Sequence, residues 1–470
     1  VRNFNLVVPL SPESGATVKR ATDTSGQQDL FGRDESGAVA PLIGAAPGLR
    51  RGDVDSTNGP STLITTLMPG LRTSATATRT TTTSRMSWRS SSSADQNAAE
   101  SRPGHAGFSF AEWVSAYLAC RRTKRRKQSA MAFEMDQETQ LYKLHTDLAA
   151  GTYRPGPSTC FIITRPRPRE VWAAEFRDRI VHHLLYNAIG PTIERTFIAD
   201  SCACIPGRST LYAVERLERK VRSITRNWSR PVFYLKMDVE NFFVSIDKAI
   251  LAGQLRARIR DPLLLDLALQ ILWHDPRPGA IHQSTAKLRA RVPPHKRLSE
   301  APAGKGLPIG NLSSQFFANI YLDALDQFVK HQLRCKHYIR YVDDFILLHE
   351  STQQLNAWRR EIEKFLTAHL QIHINPAKTI LQPVGRGIDF VGQVIKPWRT
   401  TLRRRTYRNA LHRTATINAH VLLKTANSYF GLLRQANHSH HDRARLANVL
   451  RDRGHCVDGG FTKTFRRAKA

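Results

Sequence analysis

The chain has 470 residues, on the order of three domains of material, with 41% hydrophobic residues and 70 Lys and Arg against 39 Asp and Glu, a formal net charge of +31. This composition excludes a wholly disordered chain, a small disulfide-built domain and a collagen. No apolar run reaches the roughly 18 residues of a membrane span, so no transmembrane helix and no membrane partner are expected. The start, VRNFNLVVPLSPESG, lacks the basic-then-apolar pattern of a secretory signal. The six cysteines (120, 160, 202, 204, 335 and 456) are scattered without a CxxC pair, which fits a reducing cytoplasm rather than a zinc or disulfide framework. So positive a chain calls for a polyanionic partner: nucleic acid first, an anionic membrane surface second.

In chain order, residues 1–105 hold 11 Lys and Arg against 9 Asp and Glu and are Ser/Thr-rich without apolar periodicity. They read as a disordered tail, or as an upstream extension that is no functional module. From Phe108 two helical stretches follow, FSFAEWVSAYLACRR and FEMDQETQLYKLHTDLAAG, the second ending at a Gly151 stop. The basic run Arg121–Lys127 between them is a solvated loop or a nucleic-acid contact. CFIITRPRPREVWAAEF reads as strand–turn–strand, and FRDRIVHHLLYNAIGPTIERTF as a helix. RPVFYLKMDV reads as a strand ending in an acid.

The stretch 276–306, Pro/Gly-rich and basic, reads as a long inserted loop. Asn311–Leu333 reads as an amphipathic helix with Phe316, Ile320, Leu325 and Phe328 as its apolar stripe. His337–Glu350 is a hairpin whose two apolar strands meet at Asp343–Asp344, and Leu355–Leu370 is a helix. Gly387–Pro397 is a second short hairpin. Three Arg-rich helical stretches, near 404–423, 425–436 and 441–453, complete the chain.

Three acids stand out. Asp238 closes a strand, and Asp343–Asp344 sit at a turn. Taken alone, two acids in a turn need no function, because Asp favours turns by bonding local backbone amides. Here, however, the acids lie between strongly apolar strands, where neighbouring carboxylates repel and need a compensating cation. Hard oxygen ligands suit Mg²⁺. If the Asp238 strand lies beside the hairpin, the three carboxylates can hold two metal ions roughly 4 Å apart. In so basic a chain such a site points to nucleotidyl transfer on nucleic acid.

Five motifs in order then resemble those of reverse transcriptases, from about Phe108 to the C-terminus. LKMDVENFF (Leu235–Phe243) is similar to the first catalytic strand, and GLPIGNLSSQFFANIYLDALD (Gly306–Asp326) to the template–nucleotide helix. YVDD (Tyr341–Asp344) is similar to the catalytic turn, INPAKT (Ile374–Thr379) to the lysine-bearing segment, and GIDFVG (Gly387–Gly392) to the primer-grip hairpin. Within the family the chain most resembles the enzymes of diversity-generating retroelements, whose helix motif reads Ile-Gly-x-x-x-Ser-Gln. Here these are Ile309, Gly310, Ser314 and Gln315, and Ser428–His455 resembles that group's tail. Group II intron enzymes continue into further domains after the equivalent of Gly392. Retron enzymes carry a Val-Thr-Gly that this sequence lacks.

The resemblance implies an α+β right-hand polymerase of fingers, palm and thumb, with an antiparallel palm sheet and a helical thumb. The divisions expected are a tail at 1–105, N-terminal helices and fingers at 106–229, a palm at 230–398 carrying the basic insertion 276–306, and a thumb at 399–470. It implies RNA-directed synthesis of cDNA, error-prone in this subgroup, with Asp238, Asp343 and Asp344 as ligands of two Mg²⁺, Mn²⁺ being an alternative. Lys378 would act as general acid toward pyrophosphate. Phe243 falls where the family has its sugar gate, though by itself it reads as a core aromatic. Ile309, Gly310 and Gln315 would touch the nucleotide and template base.

One departure is Ile205 in SCACIPGRST, where relatives carry an Arg, so Arg169 or Arg208 would contact the triphosphate instead. Arg403, Arg404, Arg405, Arg408 and Arg413 would contact phosphates without reading sequence. Cys202 with Cys204, and His438 with His440 and His441, read as structural or surface residues rather than metal ligands. The implied partners are template RNA and an RNA–DNA hybrid, dNTPs, and a small basic accessory variability protein. The alternatives are an RNA-templated RNA polymerase, a catalytically weak or silent maturase-like RNA binder, and a group II intron-like or retron-like enzyme.

Overall fold

The computed structural model describes residues 107–122, 124–164 and 167–466; the expected tail at 1–105 lies outside them. Three helices open this region, α1 (Phe110–Arg121), α2 (Gln128–Glu134) and α3 (Gln137–Ala149). α1 starts on a reciprocal cap: Ser109 accepts from the Glu112 amide while the Glu112 carboxylate accepts from the Ser109 amide. β1 (Thr159–Ile163) and β2 (Arg169–Ala173) form the expected antiparallel pair and lead into α4 (Phe176–Glu194) and α5 (Thr210–Ile224).

After β3 (Phe233–Asp238) come α6 (Phe242–Ser245), α7 (Lys248–Arg258) and α8 (Pro262–Trp273). Asp247 and Asp261 cap α7 and α8, and Pro262 occupies the first turn of α8, where no amide partner is needed.

The stretch 276–306 is more than a loop. It carries β4 (Ile281–His282), which pairs parallel to β1, and α9 (Ala286–Arg289). Leu298 packs on Cys160 and Trp172, and its amide donates to Glu170 Oε2 at 2.8 Å. The insertion is therefore built onto the β1–β2 pair. No local period reveals this, since only two residues form the strand.

α10 (Leu312–Gln327) is buried almost all round, from Ser313 to Asp323, so it is a core helix rather than an amphipathic one with a single stripe. Its buried Ser, Asn and Asp side chains break the apolar periodicity that a core helix would otherwise show. β5 (Tyr338–Tyr341), β6 (Asp344–His349), α11 (Thr352–Leu370) and β7 (Ile380–Pro383) complete a four-stranded antiparallel sheet in the order β5-β6-β3-β7. α5 and α11 pack on it. Covered on both faces, β6 reads as a continuous apolar run, with Phe345, Ile346 and Leu347 fully buried.

β8 (Ile388–Phe390), β9 (Gln393–Lys396) and β10 (Arg399–Leu402) form a separate three-stranded antiparallel sheet. The short hairpin thus gains a third strand that the expected boundary at 399 assigned to the helical end. α12 (Arg404–Thr416), α13 (Ala419–Leu433) and α14 (His440–Asp452) then build a second core around Leu422, Phe430 and Leu446. The first break falls at residues 417–418 rather than near 424. A hairpin of β11 (His455–Val457) and β12 (Thr464–Arg466) follows, too short to leave a sequence signal. Among the described residues no helix is long and apolar enough to cross a membrane.

Candidate active site

The three acids gather at one end of the four-stranded sheet. In the β3–β6 register Asp238 stands directly opposite Asp344, and Asp343 immediately precedes it. The Val239 amide donates to the Asp343 carbonyl at 3.2 Å, tying the two chain segments together there. The residue pair at the turn is Val342–Asp343; Asp344 is already the first residue of β6, paired with Tyr341. All three acids are at least nine-tenths buried.

A third segment closes the site. Ile374 bridges Val239, and the Asn375 amide donates to the Asp238 carbonyl at 2.8 Å. Asn375 Oδ1 then caps the Ala377 amide, and Pro376 starts a single 3₁₀ turn ending at Lys378. This turn brings the Lys378 ammonium into a hydrogen bond and ion pair with Asp238 Oδ1. On β3, Lys236 lies two residues before Asp238, hence on the same face. Its Nζ is 3.8 Å from Asp344 Oδ2 and donates to the Asp389 carbonyl at 2.9 Å. Two of the three acids are thus offset by the protein's own ammonium groups.

A hard divalent cation suits this donor set, which offers three carboxylates and no sulfur or imidazole. The backbone brings the acids to one place. Among the described residues, however, no three His, Cys, Asp or Glu side chains are grouped so as to hold an ion. The expected trio is adjacent in register without forming a ligand cluster of side chains.

The turn itself is strained. Val342 has φ of +55°, a conformation that a β-branched residue rarely adopts. The turn is braced from below by Arg340, whose Nη1 donates to the Val342 carbonyl at 3.0 Å and whose Nη2 donates to Ser201 Oγ at 2.9 Å. Arg340 is held in turn by Asp326 of α10, through bonds of 2.8 and 2.6 Å, and Tyr338 donates to the same carboxylate at 2.7 Å. Burial opposes the charge on Arg340, but the Asp326 carboxylate outweighs it and holds the guanidinium pKa above its ordinary value. Sequence reading missed Arg340; the signal was a lone charge inside the apolar strand HYIRYV.

The remaining expected residues divide. Phe243 is buried in α6 and meets Phe242 edge-on, ring centroids 5.5 Å apart. The segment after Gly306 runs from α6 to β2: the Leu307 amide donates to the Phe243 carbonyl, and the Trp172 amide to the Ile309 carbonyl at 2.7 Å. Ile309 packs on Phe161, Ile163, Val171 and Ala173 of the β1–β2 pair. Gly310 has φ of +144°, and a Cβ there would lie 2.4 Å from the Trp172 carbonyl oxygen, so this close approach needs glycine. Asn311, also missed, accepts from the Ala174 amide at 3.1 Å and fastens the start of α10 to the end of β2. Gln315 is buried on α10, and Arg169 opens β2.

Arg208 is held to the backbone through one guanidinium nitrogen. Its Nη1 donates to the Ile198 and Ser201 carbonyls at 2.8 and 2.6 Å. Ile205 beside it is a core residue. Arg403 is likewise engaged, pairing with Asp389 through Nε at 2.7 Å and through Nη2. Arg404, Arg405 and Arg408 are exposed, and Arg413 is half-buried. Burial pushes the Cys202 and Cys204 thiols up to about 12, which leaves both protonated at neutral pH.

Residues 165–395 match the family model described as reverse transcriptase (RNA-dependent DNA polymerase). That family is one of RNA-directed DNA polymerases, which are nucleotidyltransferases. The chain has no match among curated proteins. Similar solved structures include a Candida albicans telomerase in complex with a TWJ fragment of telomeric RNA. It is 13% identical, with 63% of this chain and 55% of that one covered and a TM-score of 0.37. An apo telomerase from Candida tropicalis is 10% identical, with 67% and 60% covered and a TM-score of 0.40. The chain thus spans little more than half the length of these telomerases.

Proposed function

We propose that this chain is an RNA-directed DNA polymerase that copies an RNA template into cDNA at the Asp238–Asp343–Asp344 end of the sheet. The observation that carries this reading is the facing of Asp238 and Asp344 across β3 and β6, with Asp343 beside them, inside the region that matches the reverse-transcriptase family. Two Mg²⁺ or Mn²⁺ ions held by these carboxylates would activate a 3′-hydroxyl and stabilise departing pyrophosphate. Lys378 and Lys236 partly neutralise Asp238 and Asp344 through their ion pairs, and Lys378 would be the group that donates a proton to pyrophosphate. Phe243 offers a ring edge against a ribose 2′-hydroxyl, which selects dNTPs by exclusion.

In a fingers–palm–thumb arrangement β1–β2 serve as fingers, the four-stranded sheet as palm and α12–α14 as thumb. Exposed Arg404, Arg405 and Arg408 supply phosphate contacts there, and Arg169 the triphosphate contact. The Ile309, Gly310, Ser314 and Gln315 set favours an error-prone enzyme of a diversity-generating retroelement, assisted by a small basic accessory protein. An aliphatic side chain at 309 removes one hydrogen-bonding contact to the nucleotide.

Primer extension on an RNA template, with dNTPs and rNTPs in separate reactions, tests this reading on wild type and Asp343→Asn. The expected result is DNA synthesis by wild type alone. Equal activity in both proteins overturns the site, and an inactive wild type favours a silent RNA binder.

A further inference from the structure

A cavity of about 400 Å³ lies between α2, the start of α4 and the β1–β4 edge. It shares no lining residue with the Asp238 site. Its lining brings together Lys127, Arg177 and Arg179 with the polar Gln128 and Ser129, against a single carboxylate, Glu175. Arg179 is 9% exposed; its Nε donates to the Ala174 carbonyl at 2.7 Å, while its buried Nη1 has no hydrogen-bond partner. A buried guanidinium N–H left without an acceptor is costly.

Arg177 is ion-paired with Asp147 at 3.5 Å and Asp178 at 3.7 Å. Among the described residues neither Arg179 nor Lys127 has an acidic partner within 4 Å. Lys124 stands behind them, its Nζ on the Cys120 carbonyl at 3.2 Å. Burial, and then the Arg179 guanidinium, holds the Lys127 pKa below its ordinary value. Burial and the Asp178 carboxylate raise that of Glu175, which weakens the one opposing charge. The N-cap and first residues of the 19-residue helix α4, Glu175, Phe176 and Arg177, line the cavity, and Glu175 makes no side-chain cap there. Cations, an orphaned donor and a helix N-terminus converge on a space whose lining holds one carboxylate, Glu175.

We propose that this cavity is a phosphate-binding site that takes a phosphodiester of a bound RNA strand, a contact point that shares no lining residue with the acid end. The strand as its source rests on the reading of the chain as an RNA-copying enzyme; the phosphate chemistry does not. Lys127 is half-buried and caps nothing with its side chain, so its substitution leaves the fold standing.

The test measures two things on wild type, Lys127→Ala and Lys127→Glu. One is the affinity for a short single-stranded RNA across a salt series. The other is the melting temperature with inorganic phosphate against chloride at equal ionic strength. Lys127→Glu is expected to weaken RNA binding by about tenfold and to make the salt slope shallower by about one. If RNA affinity holds but a phosphate-dependent rise in melting temperature is lost in the variants, the phosphate site stands and the strand is overturned as its source. If neither measurement moves, the proposal is overturned. Both readouts are independent of primer extension, so failure of the polymerase reading is recognised separately.

Discussion

Arg340 and Asp326 form a two-pronged ion pair in which the side chains are 1% and 0% exposed, and the same guanidinium holds the carbonyl of Val342 in the acid-bearing turn. Removing one partner leaves an isolated charge in the core. Asp326→Ala and Arg340→Ala are each expected to lower stability by about 3–5 kcal/mol in denaturant unfolding. Replacing both with well-packed apolar residues should recover much of that loss. In that double variant the turn has lost its brace, so polymerisation should stay impaired although the fold has returned.

Gly310 approaches the Trp172 carbonyl more closely than any side chain allows. Gly310→Ala adds a Cβ 2.4 Å from that oxygen at a φ of +144°. A loss of about 3 kcal/mol is expected, combining backbone strain with overpacking. Equilibrium unfolding of the variant checks it, and an unchanged midpoint would show that the α10 entry is not held as described.

Glu194 gives the fold a pH dependence. Burial pushes its carboxyl up to about 7 from an ordinary 4.5, against the Tyr186 hydroxyl that donates to it at 2.8 Å. The native state therefore binds more protons than the unfolded one between these two values. Its contribution is complete below about pH 4.5 and is lost as pH rises to about 7. His182 and His183, each lowered to about 3 by burial, act in the opposite sense below pH 6.5. The difference between wild type and Glu194→Gln isolates the carboxyl. The variant is expected to gain stability relative to wild type by roughly 3 kcal/mol between pH 4.5 and 7, at about 1.4 kcal/mol per pH unit.

The arginines that open α12 are not equivalent. Arg404, Arg405 and Arg408 are exposed, whereas Arg403 is paired with Asp389. Reversing the charge of the first three should weaken RNA binding and flatten its salt dependence, with little change in melting temperature. Arg403→Ala should do the reverse, loosening the junction between β8 and α12. Salt-series binding beside thermal unfolding separates the two patterns.

Much of this molecule is written in short windows of its sequence. The apolar run FILL predicts a strand, the hairpin around Tyr341–Asp344 is visible from its two strands, and Asp238 at a strand's end marks a candidate site. Such features depend on residues a few positions apart, where periodicity and turn chemistry act. Partner choice does not. Arg208 reads as a free cation until the fold turns it onto two carbonyls, and Lys378 meets Asp238 from 140 residues away. The two-residue strand β4 gains its place only from β1, and the Arg340–Asp326 pair only from the packing of α10 under the sheet. Local pattern determines which elements form and where acids concentrate. Tertiary structure decides which charges are consumed in holding the fold and which remain for a ligand, because a buried charge takes whatever counter-charge or acceptor the packing brings within reach.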